Sequence, residues 1–276
     1  MNKFILNKIK NIDANNIDQL IIDRQDNKTY TNVDSYFESK NIKDKKVYYN
    51  NGEGPFKGMF SLLFLDYHFD FIQELKKKVI LSGSSSNSLS AIIYNCKKKM
   101  NIINWANNFE NDQKINLKQL AYEITSHISK TFTIDDFDTE TLFIPTISYN
   151  YKDFSFKFLV YTNFQSLDEL LNCFRASSHI PLFSNEKFFL KYNNYMVFDP
   201  DFFKLISFTN KLFNHNYQEI SFFKECYNKD YNKYDGQYFA DLMISSLKKR
   251  NFNLDIELKK EIFEINHFIS SKKFLF

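Results

Sequence analysis

Residues 78–94 read Lys78-Val-Ile-Leu-Ser-Gly83-Ser-Ser85-Ser-Asn87-Ser-Leu-Ser-Ala-Ile-Ile-Tyr94. Val79–Leu81 is a short apolar run with the composition of a buried strand. Gly83 marks a tight turn, and Leu89, Ile92 and Ile93 then recur at helical spacing. The same grammar occurs upstream, with a strand at Val47–Tyr49, a turn at Asn50–Pro55, and a helical pattern through Met59, Leu62, Leu63 and Asp66. Two strand–turn–helix units in succession describe a βαβα run. Parallel strands need such crossovers, so the run predicts an α/β fold with a parallel sheet.

Downstream, residues 107–116 read as a polar linker, and Leu117, Leu120, Ile124 and Ile128 place one apolar face on a helix. Leu142–Ser148 and Phe154–Tyr161 read as a hairpin. Ser166-Leu-Asp-Glu169 is a capping box for a helix reaching about Ala176. Beyond Asp201 the pattern is mostly helical, clearest at Leu242–Leu247 and Ile256–Phe268. Residues 1–45 are polar, with one apolar clump at Leu20–Ile22, and read as an N-terminal extension without chemistry of its own.

Composition narrows the function classes. Lys and Arg number 36 against 33 Asp and Glu, a net charge of +3, so no strong field favours nucleic acid or an anionic membrane. With 43% hydrophobic residues and a mean hydropathy of −0.43, no apolar run approaches the length of a spanning helix. Aromatic content of 18% is incompatible with a wholly disordered chain. Cys96, Cys173 and Cys226 have no C-x-x-C spacing and read as reduced thiols, with neither a disulfide framework nor a zinc site. The first ten residues mix Lys3, Lys8 and Lys10 with little apolar sequence, unlike a signal peptide, so a cytoplasmic setting is the expectation. Glycine is scarce: 5 are present, where average usage gives about nineteen. Four of the five, Gly52, Gly54, Gly58 and Gly83, fall within the βαβα run.

Two loops there could carry chemistry. Gly83-Ser-Ser85-Ser-Asn87 matches the nucleophile elbow G-x-S-x-G with Asn at the last position, after a strand and before a helix. Asn is the non-glycine residue that best tolerates a left-handed conformation, which is how Asn87 would stand in for glycine. The competing reading is a Ser-rich helix cap with no nucleophile. Gly52-Glu-Gly54-Pro-Phe-Lys57-Gly58 fails both the dinucleotide fingerprint and the P-loop. It leaves a glycine-rich turn whose backbone N–H groups suit an oxyanion.

Together and in this order, the loops resemble those of the patatin-like phospholipase family, which carries G-G-G-x-[RK]-G, then G-x-S-x-G, then D-G-[GA]. Glu53–Gly58 aligns with the first of these. Arg175-Ala-Ser-Ser-His-Ile-Pro181 looks like the family segment R-A-S-x-x-I-P, and Asp199-Pro-Asp201 stands where the family has D-G-[GA]. The resemblance covers residues 46–201. It implies a three-layer α/β fold, with a central mostly parallel sheet flanked by helices, over residues 46–204. Residues 205–276 would be a helical region packed on that core. It also implies a lipid acyl hydrolase at a lipid or membrane surface, with Ser85 as nucleophile and Asp199 as base. Gly52, Gly54, Lys57 and Gly58 would form the oxyanion loop, Gly83 and Asn87 would frame the elbow, and no cofactor, metal or catalytic histidine is needed. Phe202, Phe203, Phe208 and Phe213 would then form a lid or simply a helix core.

The sequence departs from the family pattern at Glu53, Pro55, Asn87 and Pro200. Pro55 has no N–H to donate to an oxyanion. Pro200 fixes the backbone after Asp199, which leaves Asp201 as an alternative base. A catalytically impaired member that binds lipid or a protein partner is therefore the second reading.

Overall fold

A computed structural model of the chain describes residues 17–50, 62, 65–66, 69–102, 117–150, 155–179, 190–200 and 217–220. In chain order these form β1 (Asp18–Asp23), β2 (Lys28–Tyr30), α1 (Val33–Lys40), β3 (Lys46–Asn50), α2 (Phe69–Leu75), β4 (Val79–Gly83) and α3 (Ser86–Tyr94). Then come α4 (Leu117–Thr131), β5 (Ile144–Asn150), β6 (Ser155–Thr162), α5 (Leu167–Ser177), β7 (Leu190–Tyr192), β8 (Tyr195–Phe198) and β9 (Tyr217–Ile220). Two 3₁₀ turns, Ile134–Asp136 and Thr139–Thr141, precede β5.

The βαβα reading holds at its two strands. β3 and β4 pair in parallel with Val47 opposite Ile80, and β9 adds a second parallel partner to β3. Leu62, Leu65 and Asp66 are helical and buried between them in sequence. Asp66 accepts the Asn101 and Ile102 N–H groups at 2.9 and 2.8 Å, so its buried carboxylate is satisfied.

The larger sheet corrects the expectation of mostly parallel strands. Its order is β2-β1-β6-β5-β8-β7, and only β1 and β6 run parallel. The cause is connection length, because hairpins replace helical crossovers in this half. β5 and β6 are the hairpin expected from the sequence. β7 and β8 turn through Asn193 and Asn194, both at positive φ (47° and 66°) as a two-residue primed turn requires. A single parallel bridge, Ser82 to Phe143, attaches the three-stranded sheet to β5, and Ser82 Oγ donates to Phe143 O at 3.1 Å.

Side chains alternate between two cores. Leu81, Ile144, Leu159 and Val197 join residues of α3, α4 and α5 in one cluster. Their strand neighbours Ile80, Phe143, Val160 and Phe198 join Val33, Tyr36 and Phe37 of α1 in the other. The period-2 alternation of strands places these clusters on opposite faces of the sheet.

Residues 18–40 are no appendage. β1 lies between β2 and β6, and Ile21, Val33 and Tyr36 are fully buried. The segment's polar residues misled because they form an internal network. Asp23 is fully buried, accepts the Asp26 N–H and the Asn163 side-chain amide (both 2.9 Å), and pairs with Lys40 at 2.9 Å. Burial lowers the Lys40 pKa, but its hydrogen bonds to Asp23 and Asp26 outweigh that and leave it raised. Within 205–276 only residues 217–220 are described, and they form a strand where helix was expected.

Candidate active site

Ser85 lies between β4 and α3 with φ 55° and ψ −133°. Eight non-glycine residues have positive φ among those described; seven are Asn or Asp, and Ser85 is the eighth. Asn and Asp tolerate left-handed backbone, whereas for Ser this conformation costs about 1–3 kcal/mol and must be held by its surroundings. The Asn87 N–H donates to Ser84 O at 2.9 Å, and Ser88 donates to Ser85 O through its N–H (3.1 Å) and its hydroxyl (2.5 Å). The turn is so tight that a Cβ on Gly83 would stand 2.5 Å from Asn87 O and 2.8 Å from Asn87 C. Glycine is therefore required at position 83 by close approach.

Asn87 plays a different part from the one expected. It is the second residue of α3, absent from the positive-φ residues, and 1% exposed. Its side chain accepts from Ser90 Oγ at 3.5 Å. The elbow thus needs no left-handed residue at its fifth position.

Ser85 occupies the N-cap position of α3, yet its side chain makes no capping hydrogen bond. A plain Ser cap would spend the hydroxyl on the helix. Among the described residues, Ser85 bonds through its backbone alone. The side chain sits on a half-buried residue flanked by buried Ser84 and Asn87.

Asp199 follows β8 and is 1% exposed. Strand register locates it relative to Ser85. β4 runs parallel to β5 and meets it at Phe143, whereas β8 runs antiparallel and pairs Phe198 with Ile147. β6 holds the other edge of β5, so β4 and β8 share one edge with their C-terminal ends pointing towards each other. Phe143 and Ile147 are four residues apart, about 13 Å along the strand. Ser85 and Asp199 leave their strands into that interval. Continued register puts Asp199 beside Thr146, and Ser85 is tied to Pro145 through one side chain: the Ser85 N–H donates to Ser177 Oγ (3.2 Å), which donates to Pro145 O (2.6 Å). Pro145 suits its place. The N–H and C=O of a strand residue point to the same edge, so the donor it lacks falls in the gap where no strand pairs.

The segment Arg175–His179 ties both residues. Ser177 takes the Ser85 N–H, and the Asp199 N–H donates to His179 O at 2.9 Å. Arg175 is directed away, donating to Asn172 and to Thr125 of α4. Residue-type reasoning singled out none of Ser177, His179 and Pro145. The visible signals were a proline inside a strand candidate and an unexplained serine in R-A-S. The described hydrogen bonds include none between Ser85 and Asp199.

Gly52, Gly54, Lys57, Gly58 and Asp201 lie outside the described residues. β3 ends at Asn50, opposite Gly83. His68, His215, His267 and Cys226 are also outside. Cys96 and Cys173 are buried free thiols; burial raises Cys96 to about 11 and Cys173 further, which leaves both protonated and unreactive at neutral pH. Among the described residues no group of three or more His, Cys, Asp or Glu is arranged to hold a metal ion, and no helix is long and apolar enough to cross a membrane.

No protein-family model and no curated protein matches this chain.

Proposed function

We propose that the chain is a serine hydrolase acting on lipid esters, patatin-like in its plan, with Ser85 as nucleophile and Asp199 as general base. The observation that carries this reading is the strained Ser85 backbone at a strand-to-helix turn, with its hydroxyl withheld from capping. Strain of this kind survives where its surroundings enforce it, and a nucleophile elbow has that form. In the proposed reaction Asp199 takes the hydroxyl proton as Ser85 Oγ attacks the ester carbonyl. The tetrahedral intermediate expels the alcohol, which leaves with the proton returned by Asp199. Water, deprotonated by the same carboxylate, then attacks the acyl-enzyme; the intermediate collapses, Ser85 Oγ leaves with the proton returned by Asp199, and the fatty acid is released. The N-terminus of α3 and the loop of Gly52, Gly54, Lys57 and Gly58 would stabilise the oxyanion. Asp201 is the alternative base.

The described contacts include no hydrogen bond between Ser85 and Asp199, although catalytic hydrogen bonds commonly tighten only when substrate binds. That separation, with Pro55 unable to donate, favours a second reading: a catalytically impaired member that holds a lipid or a protein at the same cleft. A fluorophosphonate probe with a reporter tag decides between them. Labelling that Ser85→Ala abolishes supports the hydrolase. An unlabelled wild-type protein that also turns over no acyl ester leaves the binding role.

A further inference from the structure

We propose that Ser177 is a positioning residue that holds Ser85 in its reactive conformation; the proposal rests on the reading of Ser85 as nucleophile. A serine hydroxyl has one proton. Ser177 gives it to Pro145 O at 2.6 Å, so towards the Ser85 N–H, at 3.2 Å, its oxygen acts as acceptor. The polarity of the relay is thereby set: carbonyl on β5, hydroxyl on α5, amide at the elbow.

The relay matters because of where the Ser85 N–H points. At an N-cap this donor has no partner within the helix, and at φ 55° and ψ −133° it lies outside the β4 ladder as well. Ser177 is the partner it finds, and Ser177 is fully buried. Its own position is fixed at the end of α5, where Ser178 N and Ser178 Oγ both bond to Phe174 O at 2.9 Å. Two residues on, His179 O takes the Asp199 N–H, so one helix end sets the placement of both proposed reactive residues. Ser177 touches no reacting atom in this scheme. It acts through the backbone of Ser85.

The test compares wild type, Ser177→Ala and Ser177→Thr by fluorophosphonate labelling kinetics, urea unfolding, and amide exchange at Ser85. Removing the hydroxyl releases the elbow, so the maximal labelling rate per folded molecule falls about tenfold, the weight of one buried hydrogen bond. The probe concentration at half-maximal rate stays unchanged. Ser85 amide exchange accelerates in Ser177→Ala, and Ser177→Thr, which keeps the hydroxyl, restores both. A Ser177→Ala protein that is folded, labels at the wild-type rate and keeps its Ser85 amide protected overturns the inference. If Ser177→Ala does not fold, Ser177→Cys, close in shape and a weak acceptor, carries the same comparison. A wild-type protein that never labels refutes the nucleophile reading alone, because the exchange measurement still decides whether Ser177 holds the turn.

Discussion

At the residue scale the elbow depends on one absent atom. Gly83→Ala places a Cβ against Asn87 O, a backbone atom of the first turn of α3 that cannot yield like the end of a flexible side chain. Overpacking of this kind costs about 1–3 kcal/mol, read as a lowered urea midpoint. Labelling of Ser85 falls further than the stability loss accounts for, because the displaced atoms are those that shape the turn. Replacing Asn87 by glycine, which brings the sequence closer to G-x-S-x-G, gives the opposite of a repair. Asn87 is helical and buried, so Asn87→Gly lowers stability, by a few tenths of a kcal/mol through added backbone freedom and further through loss of the side chain that accepts from Ser90 Oγ, and labelling is no faster. A gain in labelling would show that the fifth position limits the elbow after all. Gly83 and Ser85 were legible in the sequence because a strand, a glycine and a helix surround them. Ser177 was not, since its role depends on α5 ending beside β5, a contact between residues far apart in the chain.

Elements carry their own signals with uneven clarity. The capping box at Ser166 was legible, and the Ser166 hydroxyl accepts the Glu169 N–H at 3.2 Å. The reciprocal half differs: the Glu169 carboxylate accepts the Gln165 N–H and pairs with Arg24. Ser166→Ala should cost about 1 kcal/mol, seen as a lower melting temperature with labelling per folded molecule unchanged. The 3₁₀ turn Ile134–Asp136 makes a pH-dependent contribution. Hydrogen bonds from Lys98 and from the Thr133 N–H hold the Asp136 carboxyl below its ordinary value. A carboxyl depressed on folding stabilises the fold fully above its unfolded pKa, about 3.9, and the contribution fades as pH falls through the lower folded value. Asp136→Asn is therefore less stable than wild type at pH 7, and the gap closes at low pH. A gap that stays constant across the acid titration would remove Asp136 from the account. Short strands read least well from sequence. β7 and β9 have three and four residues, too few to show a period, and β9 pairs with β3, a strand distant in the chain.

For the whole molecule, the decisive departure from the sequence reading is the N-terminal region. A segment with three successive apolar residues, bounded by charges, looks expendable when judged by hydropathy alone. Its charges are internal fasteners, however, and its apolar residues serve both faces of the sheet: Ile21 in one core, Leu20 and Ile22 against the other. Removing residues 1–45 strips β6 of its parallel partner along Lys157–Thr162, leaving a long unpaired edge. It also takes away Ile21, Val33 and Tyr36, each fully buried, and the Tyr36 hydroxyl bond to Glu140 O at 2.9 Å. At about 1.5–3 kcal/mol for each large buried side chain, the loss matches much of the roughly 5–15 kcal/mol that holds a domain folded. A chain beginning at Lys46 should show no cooperative thermal transition and should aggregate through the bared strand. Ile21→Ala in the full chain should keep the fold but lower stability by about 2–5 kcal/mol, with Ser85 labelling intact in the folded fraction. A soluble 46–276 fragment that melts at the wild-type temperature would show that β1 and α1 merely cover the sheet. The same experiment bears on the site, because β6 supports β5, the strand along which both β4 and β8 pair ahead of Ser85 and Asp199.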